Sequence, residues 1–336
     1  MNDKALEATA RELVASGKGI LAADESLGTI GKRFQGLGIE QSETNRRDYR
    51  ETLFSTAKLG EFISGVILFD ETLRQKSASG VAFPEFLRAQ GIIPGIKVDK
   101  GTKPLPFFPN ETITEGLDGL RERFEEYKKM GARFAKWRAV IRIGNGFPTR
   151  GCMAANAHAL ARYAAIAQEC GLVPIVEPEV LMDGEHTIGR CEEVTETMLS
   201  VVFRELRRLR VALEGMILKP NMVVPGEDCP QQASVEEVAD ATLRTLKRTV
   251  PAAVPGIAFL SGGQSDVLAT RHLNAMNRKG PLPWQLSFSY GRALQDAAMK
   301  TWHGKKENVA AAQKALLHRA QSNSLARAGK YEDKMN

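Results

Sequence analysis

Short apolar, often β-branched runs recur along the chain, a longer stretch with helical spacing follows each, and charged residues gather where the runs end. Together these predict an α/β fold, a closed (β/α)8 TIM barrel of parallel strands. The runs cover residues 19–23, 62–69, 92–98, 132–138, 172–176, 216–219, 256–260 and 286–289. Each has the length of one strand. Eight β-α units in one uninterrupted chain are explained most simply by a barrel that closes on itself.

Helical spacing marks residues 116–130, 152–170, 192–213 and 234–250, the last opening with Ser234 and Glu237 at the spacing of a capping box. An amphipathic segment at 6–15 precedes the first strand and ends at Gly17, and a helical tail at 307–328 follows the last. The expected organisation is one domain, residues 1–336, with an N-terminal helical extension of about 1–17 and a C-terminal helix and tail of about 305–336.

Composition narrows the class of protein. The 336 residues are 43% hydrophobic and 26% charged, ordinary values for a globular chain with a full core. A formal charge of +6 favours anionic ligands without naming one. The densest basic stretch, 204–210, lies inside an amphipathic pattern and reads as a solvated helix face, so no nucleic-acid partner is expected. Cys152, Cys170, Cys191 and Cys229 are far apart and form no C-x-x-C pair, which suits a reducing, cytoplasmic compartment. Asp3, Glu7 and Glu12 interrupt the N-terminus, so neither a signal peptide nor a membrane segment is expected. His158, His186, His272, His303 and His318 are dispersed and read as surface or satisfied loop positions. No metal site and no cofactor are expected.

Parallel strands bring their C-terminal ends to one face, where barrel enzymes place their chemistry. Those ends supply Asp24, Asp70 with Glu71, Lys97 with Asp99, Lys136 with Arg138, Glu177 with Glu179, Lys219, Ser261, and Ser289 with Arg292. Several lysines and carboxylates in one pocket suit imine formation and carbon-acid catalysis. A lysine attacks a carbonyl only as the free amine, so a pKa of roughly 10.4 must fall. A second ammonium about 4 Å away, at an effective dielectric near 20, adds about 4 kcal/mol of repulsion, roughly three pKa units. Lys219 beside Lys136 would meet that need, with Glu177 and Glu179 keeping the neighbouring lysine charged. Pro220 biases Lys219 toward extended backbone, but spacing alone does not rank the lysines. Trp137, between Lys136 and Arg138, reads as barrel-wall packing.

The seventh and eighth strands are followed by Ser261-Gly262-Gly263-Gln264-Ser265 and Ser289-Tyr290-Gly291-Arg292. Glycines there let backbone N–H groups approach a phosphate, at the pair of loops where barrels often bind one. Arg292 supplies a fixed charge. Ser26, Thr29, Lys32 and Arg33, close behind Asp24, form a second anion site, and two such sites imply a bisphosphate.

The strings Gly19-Ile20-Leu21-Ala22-Ala23-Asp24-Glu25-Ser26, Gly95-Ile96-Lys97-Val98-Asp99-Lys100-Gly101, Lys136-Trp137-Arg138, Val176-Glu177-Pro178-Glu179 and Leu218-Lys219-Pro220-Asn221 resemble class I fructose-bisphosphate aldolases, as do Leu260-Ser261-Gly262-Gly263-Gln264 and Ser287-Phe288-Ser289-Tyr290-Gly291-Arg292. The resemblance runs from about residue 4 to residue 331. It implies a metal-independent lyase in which Lys219 forms a Schiff base with the ketose and Glu177 protonates the departing hydroxyl. Asp24 would take the hydroxyl proton as the carbon–carbon bond breaks, and Lys136, oriented by Glu179, would be its electrostatic partner. The resemblance further implies that Lys97, Thr29 and Arg33 hold the carbon 6 phosphate, and Ser261, Gly262, Gly291 and Arg292 the carbon 1 phosphate. Ser26 and Arg138 join the substrate-binding set. The products would be dihydroxyacetone phosphate and glyceraldehyde 3-phosphate, in glycolysis and gluconeogenesis, and the assembly a homotetramer.

Animal members close their tail with a tyrosine, whereas here Tyr331 is followed by Glu332-Asp333-Lys334-Met335-Asn336, so a tail-tyrosine role is not carried over. Two competing readings are a transaldolase-like transferase, which also uses a barrel lysine, and a non-catalytic scaffold, which predicts loss of Lys219, Glu177 or Asp24. All three residues are present.

Overall fold

The computed structural model describes residues 3–335. Among these, β1 (Gly19–Ala23), β2 (Ile63–Leu68), β3 (Ile93–Lys97), β6 (Phe134–Ile141), β7 (Val173–Val180), β8 (Ile217–Leu218), β9 (Gly256–Phe259) and β10 (Gln285–Tyr290) form the wall of a closed barrel. Every neighbouring pair is parallel, and β10 returns to β1 through Ile20↔Ser289 and Leu21↔Tyr290. Helices lie between the strands and cover the outside, the arrangement the β-α rhythm predicts.

Alternation along each strand separates two cores. Leu21, Val66, Ile96, Trp137, Val176, Leu218, Phe259 and Phe288 face the helices. Ile20, Ala22, Ile67, Ile93, Phe134, Val173, Ile175, Ile217 and Ala258 fill the lower barrel interior. That interior is closed from below by helix α1 (Asp3–Leu13) and the residue after it, through Leu6, Ala10, Leu13 and Val14. The amphipathic extension is therefore the floor of the barrel. Phe134 needs space to lie there: a Cβ on Gly95 would stand 2.2 Å from its ring. Glycine at 95 is what lets the ring fill the layer.

Two strands outrun their expected ends. The runs 132–138 and 172–176 continue as β6 and β7, so Glu177 and Glu179 lie within a strand. Charges on the inner face break the apolar run while Ala139, Ile141 and Val180 keep the outer face apolar. The run 216–219 is reduced to Ile217–Leu218, although the Lys219 N–H still donates to Val176 O at 2.8 Å. Not anticipated was the antiparallel hairpin β4 (Thr102–Pro104) and β5 (Thr112–Thr114), which leans on β6 through Thr114 Oγ1 and Arg138 O, 2.8 Å apart.

Helices α2 (Leu27–Gln35) and α3 (Glu43–Phe54) follow β1, and α4 (Leu59–Phe62) leads into β2. Next come α5 (Asp70–Arg74), α6 (Phe83–Ala89), α7 (Leu120–Lys129), α8 (Arg150–Glu169) and α9 (Ile188–Arg208). The latter starts four residues before the expected 192 because Thr187 caps it, its side chain accepting from the Arg190 N–H. Helix α10 (Val235–Thr249) opens with the expected capping box of Ser234 and Glu237. Helices α11 (Asp266–Arg278), α12 (Arg292–Trp302) and α13 (Val309–Arg327) complete the shell.

Arg327, at the end of α13, reaches under the barrel and donates to Val14 O at 3.0 Å and Leu286 O at 3.1 Å, and also to Ala15 O and Lys18 O. Tyr331 is buried, its backbone exchanging hydrogen bonds with the Asn274 side chain on α11. The segment that reaches Tyr331 is thus tied to the floor side of the fold.

Candidate active site

The inner positions change from apolar to charged at the C-terminal ends of the strands. Ile20 and Ala22 lead to Asp24, Ile93 to Lys97, Phe134 to Lys136 and Arg138, Val173 and Ile175 to Glu177 and Glu179, and Ile217 to Lys219. Closure of the sheet turns this sequence alternation into one polar pocket above an apolar floor.

Four of the expected residues form a continuous chain. Lys219 Nζ lies 3.1 Å from Glu177 Oε1, Lys136 Nζ lies 3.2 Å from Glu177 Oε2, and Lys136 Nζ lies 2.8 Å from Asp24 Oδ2. All four are buried. Burial alone would push the Asp24 carboxyl up, but the ammoniums of Lys136 and Lys219 outweigh it and bring the carboxyl down to about 2. For Lys136 burial works in the opposite direction and is outweighed by Asp24, Glu177 and Asp99, so the ammonium is held well above the usual lysine range. The sequence puts Lys219 beside Lys136, and in the structure the Glu177 carboxylate bridges the two lysines.

Glu179 does not orient Lys136 as expected. It pairs with Arg138. Register explains the difference: Lys136 is level with Ile175 and Arg138 with Glu177, and each long side chain leans along the strand to the next inward carboxylate. Lys136 therefore reaches Glu177, and Arg138 reaches Glu179. Lys97 is held at 2.6 Å by Asp99 Oδ1, whose other oxygen accepts from the Arg138 N–H at 3.2 Å.

The phosphate-binding loops also come together. Gly262 sits at φ +56°, a conformation glycine adopts without penalty, and Arg292 donates to its carbonyl, joining the loop after β9 to the start of α12. Ser261 is buried, and its carbonyl accepts from Gln264 Nε2 at 3.1 Å. Gly291 precedes the first turn of α12. Ser289, outside the expected binding set, is 1% exposed, and among the described residues its Oγ has no hydrogen-bond partner. Its inward position beside Gly291 was the signal in the sequence. On the far side, Ser26 caps α2, and its Oγ lies 3.1 Å from Thr29 Oγ1.

Arg33 stands apart from this set. Its guanidinium pairs with Glu25 and, at 2.6 Å, with Asp296. Asp70 and Glu71 likewise turn to Arg74 and Arg46. Trp137 is fully buried and stacks on Tyr163, as wall packing predicts.

His272 is not a surface residue. It is 2% exposed on α11, shares a 2.6 Å hydrogen bond between Nδ1 and Gln264 Oε1, and burial pushes its pKa down to about 4. The apolar face of α11 dictates that burial. Among the described residues no His, Cys, Asp and Glu side chains gather into a set that could hold a metal ion, and no helix is long and apolar enough to cross a membrane.

Comparison with known proteins agrees with this geometry. A family model described as "Fructose-bisphosphate aldolase class-I" matches residues 5–336. A protein of Xylella fastidiosa named "Probable fructose-bisphosphate aldolase class 1" is 60% identical over 99% of this chain and 100% of its own length. Fructose-bisphosphate aldolase B of Gallus gallus is 55% identical over 98% of this chain and 91% of its own. The solved structure of fructose-bisphosphate aldolase from Plasmodium falciparum superposes with a TM-score of 0.97 at 54% identity, covering 99% of this chain and 97% of that one.

Proposed function

Given that this chain belongs to the class I fructose-bisphosphate aldolases, we propose that its reaction runs through an imine on Lys219, with Glu177, Lys136 and Asp24 moving and balancing the protons. The enzyme is a lyase that reversibly cleaves fructose 1,6-bisphosphate to dihydroxyacetone phosphate and glyceraldehyde 3-phosphate. The observation that carries the mechanistic reading is the buried chain Lys219–Glu177–Lys136–Asp24.

The neutral Lys219 amine adds to carbon 2 of the ketose, and Glu177, within 3.1 Å of Nζ, passes a proton to the departing hydroxyl, which leaves as water. The protonated imine then withdraws the electron pair of the carbon 3–carbon 4 bond. Asp24, ionised through the whole neutral range, takes the proton of the carbon 4 hydroxyl as that carbon becomes an aldehyde. Lys136, within 3.2 Å of both carboxylates, compensates their charge as it shifts. Protonation of the enamine at carbon 3 and hydrolysis of the imine release dihydroxyacetone phosphate and restore the amine.

Ser261, Gly262, Gly291 and Arg292 would receive the carbon 1 phosphate, with the Ser289 hydroxyl as an added donor. Lys97, Ser26, Thr29 and Arg33 would receive the carbon 6 phosphate, and Arg138, fixed by Glu179, lines the pocket between them. The test is incubation with dihydroxyacetone phosphate and borohydride in the presence of a chelator, followed by peptide mass mapping. Reduction onto Lys219 is the expected result. No adduct, or turnover lost to the chelator, rejects the imine.

A homotetramer is the expected assembly, resting on family resemblance, and sedimentation would test it. Cytoplasmic residence is supported by four free cysteines and by the Arabidopsis thaliana relative named cytosolic. Residues 1–336 are read as one domain, which a single calorimetric unfolding transition would support.

A further inference from the structure

One side chain closes the loop that follows β9. Gln264 donates twice to the Ser261 carbonyl, through its backbone N–H at 3.2 Å and through Nε2 at 3.1 Å, and the same amide nitrogen lies 3.8 Å from Met222 Sδ. Met222 follows Lys219 by three residues. The Gln264 amide therefore sits between the segment that carries the nucleophile and the loop that presents Ser261 and Gly262. Its other atom, Oε1, meets Nδ1 of the buried His272 at 2.6 Å.

Donor chemistry assigns the roles in that contact. A backbone carbonyl only accepts, so the Gln264 atom on Ser261 O is the NH2 group and the atom facing His272 is the amide oxygen. The amide oxygen also only accepts, so Nδ1 carries the ring proton. Nε2 is then the bare nitrogen, buried and, among the described residues, without a hydrogen-bond partner. The ring stays neutral because burial opposes its charge. Packing alone does not account for an imidazole here. Ala269, Leu273 and Met276 make the rest of this buried face of α11, and a ring nitrogen left without a partner costs free energy that Leu or Phe would avoid. What the imidazole adds is one fixed donor.

We propose that His272 is a positioning residue for the carbon 1 phosphate, holding the Gln264 amide in the orientation that clasps the Ser261 carbonyl and so presenting Ser261 and Gly262 from a preformed loop. Gly262, at φ +56°, lies inside the turn that the clasp closes. A loop ordered in advance does not lose that freedom again when the phosphate binds, and affinity gains accordingly. The inference rests on the assignment of Ser261, Gly262, Gly291 and Arg292 to the carbon 1 phosphate.

The test reads the concentration of dihydroxyacetone phosphate that half-saturates borohydride trapping on Lys219, since its single phosphate is the one from carbon 1, together with KM and kcat for fructose 1,6-bisphosphate. His272→Phe is expected to raise both the half-saturating concentration and KM by roughly 3- to 10-fold, the worth of one neutral hydrogen bond, with little change in kcat at saturation. If that variant does not fold, His272→Leu takes its place. His272→Asn puts Nδ2 where Nδ1 stands and should keep the parental affinity, although the cavity it leaves lowers the unfolding midpoint. In a Gln264→Leu background His272→Phe should add nothing further, because it acts only through that amide. A smaller folded fraction lowers kcat and leaves half-saturation unmoved, so lost stability does not imitate the effect. Parental affinity in the folded Phe or Leu variant, an Asn variant as weak as either, or full additivity with Gln264→Leu would each overturn the proposal. Arg292→Ala is the control: parental affinity there strikes the phosphate assignment and this proposal with it. No adduct in the parent strikes the imine alone, and KM still reads His272.

Discussion

Lys136 and Asp24 meet across the barrel mouth, Nζ to Oδ2 at 2.8 Å, although β6 and β1 are not neighbours in the sheet. Their pairing sets the charge of the pocket: the carboxyl is drawn down to about 2 and the ammonium is held above its usual range. Both remain charged across the neutral range.

Replacing Lys136 with Met should therefore change the acid limb of stability. A carboxyl depressed in the folded state contributes stability that is present above its unfolded value, about 3.9, and is lost as pH falls toward the folded value. In the parent that loss is spread down to about 2. In Lys136→Met burial is opposed only by the remaining charges, so the Asp24 pKa rises and acid unfolding begins at higher pH. Breaking a buried pair costs about 3–5 kcal/mol. Circular dichroism during an acid titration reads the midpoint, and an unmoved midpoint would show that Lys136 does not hold Asp24 charged.

Lys219→Met should lower kcat by a factor on the order of 10⁴ or more, since the nucleophile itself is removed. Glu177 keeps Lys136 as a partner, so the fold should persist. Turnover near the parental rate would take Lys219 out of its role.

Arg292 bridges to Gly262 and carries the fixed charge of the carbon 1 phosphate site. Losing one charge-assisted hydrogen bond is worth roughly 1.5–3 kcal/mol, so Arg292→Ala should raise KM about 10- to 100-fold with a smaller change in kcat. Equal affinity of variant and parent for inorganic phosphate, measured by competition, would argue against this site.

Gly95→Ala should destabilise by about 1–3 kcal/mol, because the new methyl stands 2.2 Å from the Phe134 ring in a closed layer. Shortening the ring residue to leucine in Gly95→Ala/Phe134→Leu should recover part of the loss. Denaturant titration checks both, and additive effects of the two changes would mean that the residues do not share the space.

Much of this was legible along the chain. The β-α rhythm, the capping box at Ser234 and Glu237, and the change from apolar to charged inner positions at Asp24, Lys136, Glu177 and Lys219 are local patterns, and the structure follows them. The hairpin at Thr102–Thr114 was missed because its strands are too short to show alternation. The burial of His272 was missed because one polar residue on an apolar helix face carries little signal.

Pairing is where local pattern ends. Alternation along β6 and β7 determined that Lys136, Arg138, Glu177 and Glu179 share the barrel interior. Which cation meets which carboxylate depends on register between strands and on the lean of long side chains, and neither is written in the spacing of one strand. Arg33 shows the same division: its place close behind Ser26 and Thr29 is local, while one of the carboxylates that its guanidinium meets, Asp296, lies 263 residues away. The order of residues determined the strands, their inward faces and the charges at their ends. Closure of the barrel alone brought β1 opposite β6 and α2 against α12, because those contacts are made between segments that only a closed sheet puts face to face.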